Sequence, residues 1–229
     1  MKLSIIIPAY NEQATIGIVL RRVLEVNVPG VEKELIVVDD HSSDATSEIL
    51  RNYQDRVRVI THHHNLGKGA ALKTGFAAAT GDVILIQDAD LEYDPNEYSR
   101  LLAPILEGKA DVVYGSRFMG SDSHRVLYFW HRVGNSLITT CSNMLTNVNL
   151  SDVYVGFKVF TREALRDVTI QEDRFGFEAE ITAKIAKKRL RMYEVGISYS
   201  GRTYEEGKKI RLKDAFWALW CILKYHFVA

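Results

Sequence analysis

Three acids occupy alternate positions in Asp88-Ala89-Asp90-Leu91-Glu92, directly behind the apolar run Val83-Ile84-Leu85-Ile86. An unbroken aliphatic run of this length reads as a strand buried on both faces. Such a strand delivers its carboxylates at its C-terminal end, where open α/β sheets bind ligands. In extended chain, Asp88, Asp90 and Glu92 share one face. Three hard oxygen donors on one face suit Mg²⁺ or Mn²⁺ carrying a phosphate group. Ala89 is small and lets a ligand come close. The plainer reading is a solvated acidic loop, which the apolar strand in front ranks lower.

Two further polar clusters follow apolar runs. Leu3 to Ile7 leads into Pro8-Ala9-Tyr10-Asn11-Glu12, and Glu34 to Val38 leads into Asp39-Asp40-His41-Ser42. Parallel strands would set all three ends on one rim. Tyr10 can pack against a nucleotide base, and Asp39 can accept hydrogen bonds from base N–H groups or a ribose hydroxyl. Asp88 can contact ribose while Asp90 holds the metal on a diphosphate. The competing roles are a rim aromatic for Tyr10 and helix capping for Asp39 and Asp40, which one of that pair is expected to fill.

The elements that must position these groups alternate. A helix is expected from Asn11 or Glu12, with Ile16, Val19, Leu20, Val23 and Leu24 on its apolar face. Pro29-Gly30 breaks the chain before the second strand. Ser43 or Asp44 is a good N-cap for a helix to Tyr53. Val57 to Thr61 is the third strand, and Lys68 to Ala79 is an Ala-rich helix stopped by Gly81. Pro95 opens a helix to about Glu107, and Asp111 to Tyr114 is a fifth strand before Gly115-Ser116-Arg117. The pattern predicts an α/β fold with a mostly parallel sheet flanked by helices.

The 229 residues suffice for one large α/β domain, and 47% apolar content gives it a full core. A formal net charge of zero argues against a nucleic-acid partner. The charge is uneven, however: Lys184 to Lys213 holds ten Lys/Arg against Glu194, Glu205 and Glu206. The two cysteines, Cys141 and Cys221, have no metal or redox spacing and read as free thiols in a reducing compartment. Met1-Lys2-Leu3-Ser4-Ile5 lacks a signal-peptide layout, and no apolar run approaches the ~20 residues that span a bilayer. The expected location is cytoplasmic.

Taken together, Pro8-Ala9-Tyr10-Asn11-Glu12, Val37-Val38-Asp39-Asp40-His41-Ser42 and Asp88-Ala89-Asp90 resemble the inverting family 2 glycosyltransferases of the GT-A, Rossmann-like fold. Gly115-Ser116-Arg117, Asp152 to Gly156-Phe157-Lys158, and Gly201-Arg202 to Gly207-Lys208-Lys209-Ile210 narrow the resemblance to the dolichyl- and polyprenyl-phosphate hexose synthases. It runs over almost the whole chain, as a single glycosyltransferase domain. Residues 1–117 would bind the nucleotide sugar. Residues 118–229 would form an acceptor-side helical half. The resemblance implies that Pro8, Ala9, Tyr10, Glu12, Val38, Asp39 and Lys68 hold the nucleotide sugar. It gives Asp88, Ala89 and Asp90 the ribose, phosphates and metal, with Glu92 as a third metal ligand. Arg117, Arg132 and Ser136 fall at the acceptor phosphate, and Arg202 and Lys208 on a loop closing over the donor diphosphate. Relatives often carry Gln or Ser at Glu92, and Ser-Lys where this chain has Lys208-Lys209.

The implied reaction moves a hexose from GDP-mannose or UDP-glucose to a polyprenyl phosphate. A divalent ion with Arg202 and Lys208 can stabilise the leaving diphosphate. Most hydroxyl acceptors need a general base. A phosphate monoester, with a second pKa of about 6, is already anionic and needs cations instead. Arginine suits that task, and Arg117 is the first choice. Asp90, Arg117 and Arg202 are thus the expected catalytic set. A transferase to a saccharide hydroxyl is the runner-up and would draw its base from Asp152 or Glu180. A nucleotide-sugar-binding regulatory subunit is the non-enzymatic alternative.

Other features read as structural. Gly67-Lys68-Gly69-Ala70-Ala71-Leu72 lacks the third glycine of a dinucleotide fingerprint and reads as a tight turn near the donor. His62-His63-His64 reads as a solvated loop. Glu178 and Glu180 favour a helix N-terminus, and one of them can face the cleft. Val126 to Val148 reads as an amphipathic pair or one long helix beside the acceptor groove. Ala215 to Leu223 is apolar nearly all round, suited equally to the core or to a membrane interface. The basic surplus nearby leans towards an anionic membrane surface.

Overall fold

A computed structural model describes residues 1–120, 125–126, 128–203, 205 and 212–228. Five strands follow the expected order: β1 (Lys2–Ala9), β2 (Glu32–Asp39), β3 (Arg58–Thr61), β4 (Val83–Ile86) and β5 (Val112–Ser116). Two more, β6 (Lys158–Thr161) and β7 (Met192–Gly196), join the same sheet in the order β3-β2-β1-β4-β6-β5-β7. β6 runs antiparallel to both β4 and β5, and the other pairings are parallel. A strand from the second half of the chain is therefore inserted beside the acid-tipped β4. Each residue of β4 is buried, as expected of a strand covered on both faces.

The helices are α1 (Ile16–Glu25), α2 (Thr46–Arg51), α3 (Lys68–Ala78), α4 (Tyr98–Leu106), α5 (Phe129–Thr146), α6 (Arg162–Leu165), α7 (Phe177–Lys187) and α8 (Leu212–Val228). Helix α1 begins four or five residues later than its sequence suggests. Asn11 has φ 51°, outside the helical range, and Glu12 O accepts from Thr15 N and Ile16 N to start the first turn. The N-cap position of α2 falls to Ala45 rather than to Ser43 or Asp44, and Asp44, one residue before it, accepts from Thr46 N at 2.9 Å. Gly75 lets α3 lie close on β1, where a Cβ would fall 2.3 Å from Ile6 Cγ2, and Gly69 packs against the backbone of Glu172 and Asp173. The Val126 to Val148 stretch forms the one long helix α5. With α7 and α8 it builds a helical layer around Ala179, Ala183, Cys221, Ile222 and Tyr225.

A polar latch ties the sheet's far edge. Glu34 on β2 accepts from Ser4 Oγ on β1, from Thr80 N at 2.8 Å and from Thr80 Oγ1 at 2.7 Å. Gly81 N in turn donates to Ser4 Oγ at 2.8 Å. Burial alone would raise the Glu34 carboxyl. The Ser4 and Thr80 hydrogen bonds, with the Lys2 charge, outweigh it and hold the group at about 2. The folded protein thus binds this proton more weakly than the unfolded chain. The stabilisation is complete above the ordinary value of 4.5 and is lost as pH falls towards about 2. Glu34→Gln is expected to lower the melting temperature at pH 7, with the gap from wild type closing through that acid window. A gap independent of pH would remove the carboxylate's charge from the account.

Candidate active site

The C-terminal ends of β1, β2 and β4 share one rim, as parallel pairing requires. Asp90 Oδ2 accepts from Arg202 Nη2 at 2.7 Å, and Arg202 Nη1 lies 3.3 Å from Glu12 Oε2. Asp88 Oδ1 lies 2.9 Å from Lys68 Nζ, which also reaches Glu178 Oε1 at 3.4 Å. Glu12, Lys68, Asp88, Asp90, Glu178 and Arg202 thus form a linked set of alternating charge from five parts of the chain.

Burial comes first among the forces on Asp90, followed by the charges of Asp88 and Glu92. Against the pull of Arg202, they push its carboxyl up to about 7. Burial alone would depress the Lys68 ammonium, but Asp88 and Glu178 hold it above the ordinary lysine value. This rim is short of positive charge. Mg²⁺ is ordinarily held by one or two carboxylates plus substrate phosphates rather than an all-protein cage. Asp88 and Asp90 fit such a site by donor chemistry. Among the described residues, no group of three or more His, Cys, Asp or Glu is arranged as a metal cage. Glu92 stays beside Asp90: its Oε1 accepts from Arg202 N at 2.8 Å and lies 3.6 Å from Arg202 Nε, on the guanidinium that holds Asp90, while its Oε2 accepts from Tyr199 OH at 3.0 Å. Each acid of the expected trio pairs with Lys68 or Arg202, and Glu92 also anchors the Tyr199–Arg202 loop.

Local backbone makes the pair possible. A Cβ on Gly156 would fall 2.2 Å from Asp88 Oδ2, so the loop before β6 can pass there only as glycine. Gly156 N donates to the buried Tyr93 OH at 2.9 Å. Lys158 braces that loop from within the core. Its ammonium donates to the carbonyls of Val153 and Val155 and lies 4.7 Å from the Tyr114 ring centre. Burial pushes it down to about 8. Gly67, at φ 107°, turns the chain into α3, and its N–H donates to Asp40 Oδ2 at 2.7 Å.

The nucleotide-side residues differ in access. Tyr10 is exposed and Pro8 partly so, whereas Ala9, Val38 and Ala89 are buried. Val38, wholly buried between β1 and β3, supports the rim from within the sheet and offers no surface to a ligand. Asp39 is wholly buried, accepting from Ser42 N at 3.0 Å and from Ser47 Oγ. Asp40 binds Leu66 N, Gly67 N and His62 Nδ1. Both acids hold loops, whereas the sequence suggested that one of them would cap a helix. His62 is not solvated: its ring is fixed between Asp40 and Thr74 Oγ1, while His63 and His64 are exposed.

The acceptor-side residues gather around Arg117, just past β5. Its Nε and Nη2 donate to Asp152 Oδ2 and Oδ1 at 2.6 and 2.7 Å, a bidentate pair with a wholly buried carboxylate. Burial disfavours the Arg117 charge, and Asp152 more than restores it. The guanidinium carbon lies 5.1 Å from the Tyr199 ring centre. Arg132 stacks on Phe118 at 3.5 Å, and Ser136 lies one turn further along α5, exposed. Lys208 lies outside the described residues.

Four contributors were missed or left open in the sequence: Tyr93, Tyr199, Lys158 and Glu178. Of Glu178 and Glu180, the structure turns Glu178 to Lys68. Glu178 Oε2 is buried and has no hydrogen-bond partner among the described residues. The lone lysine in the apolar run Val153 to Phe160 was the available signal for Lys158, since a lysine there has to be buried.

Residues 4–169 match Glycosyl transferase family 2. Glycosyltransferase AglD of Haloferax volcanii is 31% identical over 87% of this chain, which spans 33% of that protein. Dolichol-phosphate mannosyltransferase of Pyrococcus furiosus is 28% identical over 91% of this chain and 59% of its own length. Among solved structures, glucosyl-3-phosphoglycerate synthase of Mycobacterium tuberculosis, in complex with Mn²⁺ and UDP-glucose, superimposes with a TM-score of 0.76. That match covers 100% of this chain and 80% of the other at 22% identity, a likeness of the GT-A fold. With the acidic rim, the inserted β6 and this family match in agreement, the chain belongs to glycosyl transferase family 2.

Proposed function

We propose that this chain transfers a hexosyl group, with inversion, from a nucleotide sugar to a polyprenyl phosphate. Mannose from GDP-mannose is the first reading of the donor and glucose from UDP-glucose the second. The name of the Pyrococcus relative supports the first, and that of dolichyl-phosphate beta-glucosyltransferase ALG5D of Trichomonas vaginalis, 27% identical over 91% of this chain, supports the second. The observation that carries a phosphate acceptor over a hydroxyl one is the state of Asp152 and Glu180. Asp152 is clamped under Arg117. Glu180 is wholly buried, accepting from Gln171 N and Glu172 N and paired with Lys184. Neither is free to take a proton from a hydroxyl. A phosphate oxygen needs no such help, and Arg117 with Arg132 supplies the cations that bring it to an acidic rim.

In this reading Asp88 and Asp90 hold a Mg²⁺ or Mn²⁺ ion, which when bound offsets charge on the departing diphosphate. Arg202 adds positive charge to that side. Tyr10, Pro8 and Glu12 border the base and ribose, with Ala9 and Ala89 behind them and the buried Asp39 holding the turn from Ser42 to Ser47 in place. Lys68 and Glu178 meet the sugar hydroxyls, since an unpaired buried carboxylate oxygen is costly and a hydroxyl donor relieves it.

A membrane surface is the proposed source of the acceptor. No helix among the described residues is long and apolar enough to cross a bilayer. The outer faces of α5 and α8 nonetheless expose Phe129, Trp130, Leu137, Phe216, Trp220 and Phe227. Burying one such side chain contributes roughly 1.5–3 kcal/mol, so a few suffice for reversible interfacial binding.

Purified protein is expected to turn over GDP-mannose, and more slowly UDP-glucose, with a polyprenyl phosphate acceptor and Mg²⁺ or Mn²⁺. Chelation should stop the reaction and added metal restore it. Asp90→Asn should lower kcat by about 100-fold or more. Arg117→Ala should raise the acceptor KM by about tenfold or more, the scale of a lost charge-assisted hydrogen bond. Normal turnover by both variants would sink the proposal. Trp130→Asp with Trp220→Asp should abolish sedimentation with anionic vesicles while leaving turnover of a short-chain acceptor in detergent unchanged. Undiminished sedimentation would exclude this face as the membrane contact.

A further inference from the structure

Glu194 is a partly buried carboxylate on the edge strand β7 to which the proposed chemistry gives no task. Its side chain turns towards the segment after α5. That segment has no helix or strand of its own: Asn147 adopts φ 55°, and residues 148–157 cross to β6 as loop. Buried loop amides must find acceptors. Leu150 finds its partners in Asn143, with N–H to Oδ1 at 3.2 Å and Nδ2 to the carbonyl at 2.6 Å. The next two amides go to Glu194. Ser151 N lies 2.8 Å from each Glu194 oxygen, Asp152 N donates to Oε1 at 3.2 Å, and Ser151 Oγ donates to Oε1 at 3.2 Å.

Asp152 is the residue under Arg117. Its carboxylate occupies the Nε–Nη2 edge of the guanidinium and also accepts from Asn135 Nδ2 at 3.3 Å. A phosphate at Arg117 must therefore use the remaining N–H groups, whose direction depends on where Asp152 stands. Asp152 stands where its backbone is pinned, and the pin is Glu194. Ser116, the residue before Arg117, is joined to the same segment by a 2.6 Å hydrogen bond between its Oγ and that of Ser151. Burial raises the Glu194 carboxyl, and the Ser151 and Asp152 amides draw it back. Carrying an acid here costs stability that a simple loop tether does not require.

We infer that Glu194 is a positioning residue for the acceptor site, acting through Asp152 to aim Arg117 at the acceptor phosphate. The inference rests on the reading of Arg117 as the acceptor-phosphate ligand, and the experiment separates the two. Donor and acceptor KM are measured for Glu194→Ala, Glu194→Gln and Arg117→Ala, with a short-chain polyprenyl phosphate in detergent as the acceptor probe. Glu194→Ala should raise the acceptor KM by about tenfold, the scale of a misdirected charge-assisted hydrogen bond, and leave the donor KM unchanged. Glu194→Gln retains a carbonyl acceptor for both amides and should stay within about twofold of wild type. Amide exchange should report lost protection at Ser151 and Asp152 in Glu194→Ala but not in Arg117→Ala. Should Glu194→Ala fail to fold, Glu194→Asp takes its place, keeping the charge while drawing the loop inward, with an intermediate rise in acceptor KM. Equal losses for donor and acceptor would mark Glu194 as a general structural residue and overturn the inference. An acceptor KM raised by Arg117→Ala but not by either disruptive Glu194 variant would overturn it while leaving the Arg117 reading intact. An acceptor KM unmoved by Arg117→Ala would overturn both.

Discussion

Carboxylates crowded at the end of β4, and the cations that separate them, are what the remaining structure has to accommodate. Two like charges about 4 Å apart repel by roughly 4 kcal/mol at an effective dielectric of about 20. That is a large part of the ~5–15 kcal/mol by which a domain is stable. Lys68 sits between Asp88 and Glu178, and Arg202 between Asp90 and Glu12. Even so, Asp90 holds its proton far more tightly than an ordinary aspartate. A rim in that state attracts further positive charge, which is the property a metal–diphosphate site requires.

The topology explains how so many parts of the chain reach one place. β6 is inserted antiparallel between β4 and β5, so residues 150–158 arrive alongside Asp88 rather than at a distant edge. Lys158 and Tyr93 then fix the loop that passes Asp88 at glycine distance. On the other side of β5, the edge strand β7 runs into the Tyr199–Arg202 loop, which Glu92 ties back to the acidic rim. Tyr199 is the meeting point, with its hydroxyl on Glu92 and its ring against Arg117. The acidic and basic sides of the site are thus parts of one packed network.

The helical layer has a different character. α7 is almost wholly buried, whereas α5 buries only Thr139 and Ser142, and α8 buries Ala218, Cys221, Ile222 and Tyr225 while exposing Phe216, Trp217, Trp220 and Phe227. A fold with this much apolar sheet core does not need that arrangement for its own stability. Exposed aromatic surface of this extent is the kind that interaction sites present, which is the basis of the membrane contact proposed above.

Period and composition were enough to specify the strand–helix alternation, the burial of β4 on both faces and the shared rim of Pro8–Glu12, Asp39–Asp40 and Asp88–Asp90. These depend on local hydrophobic pattern and on the geometry of parallel pairing, which a single chain displays along its length. Partnerships between residues far apart in sequence were decided by tertiary structure. They include Arg202 on Asp90, Asp152 under Arg117 and His62 between Asp40 and Thr74. The attachment of Glu92 to Tyr199 OH and to the Arg202 backbone was decided in the same way. Alternation places Glu92 on the same face as Asp88 and Asp90 only while the chain stays extended, and the strand ends at Ile86. Beyond that point each carboxylate goes to whichever donor the packed loops bring within reach, and only the fold determines which donors those are.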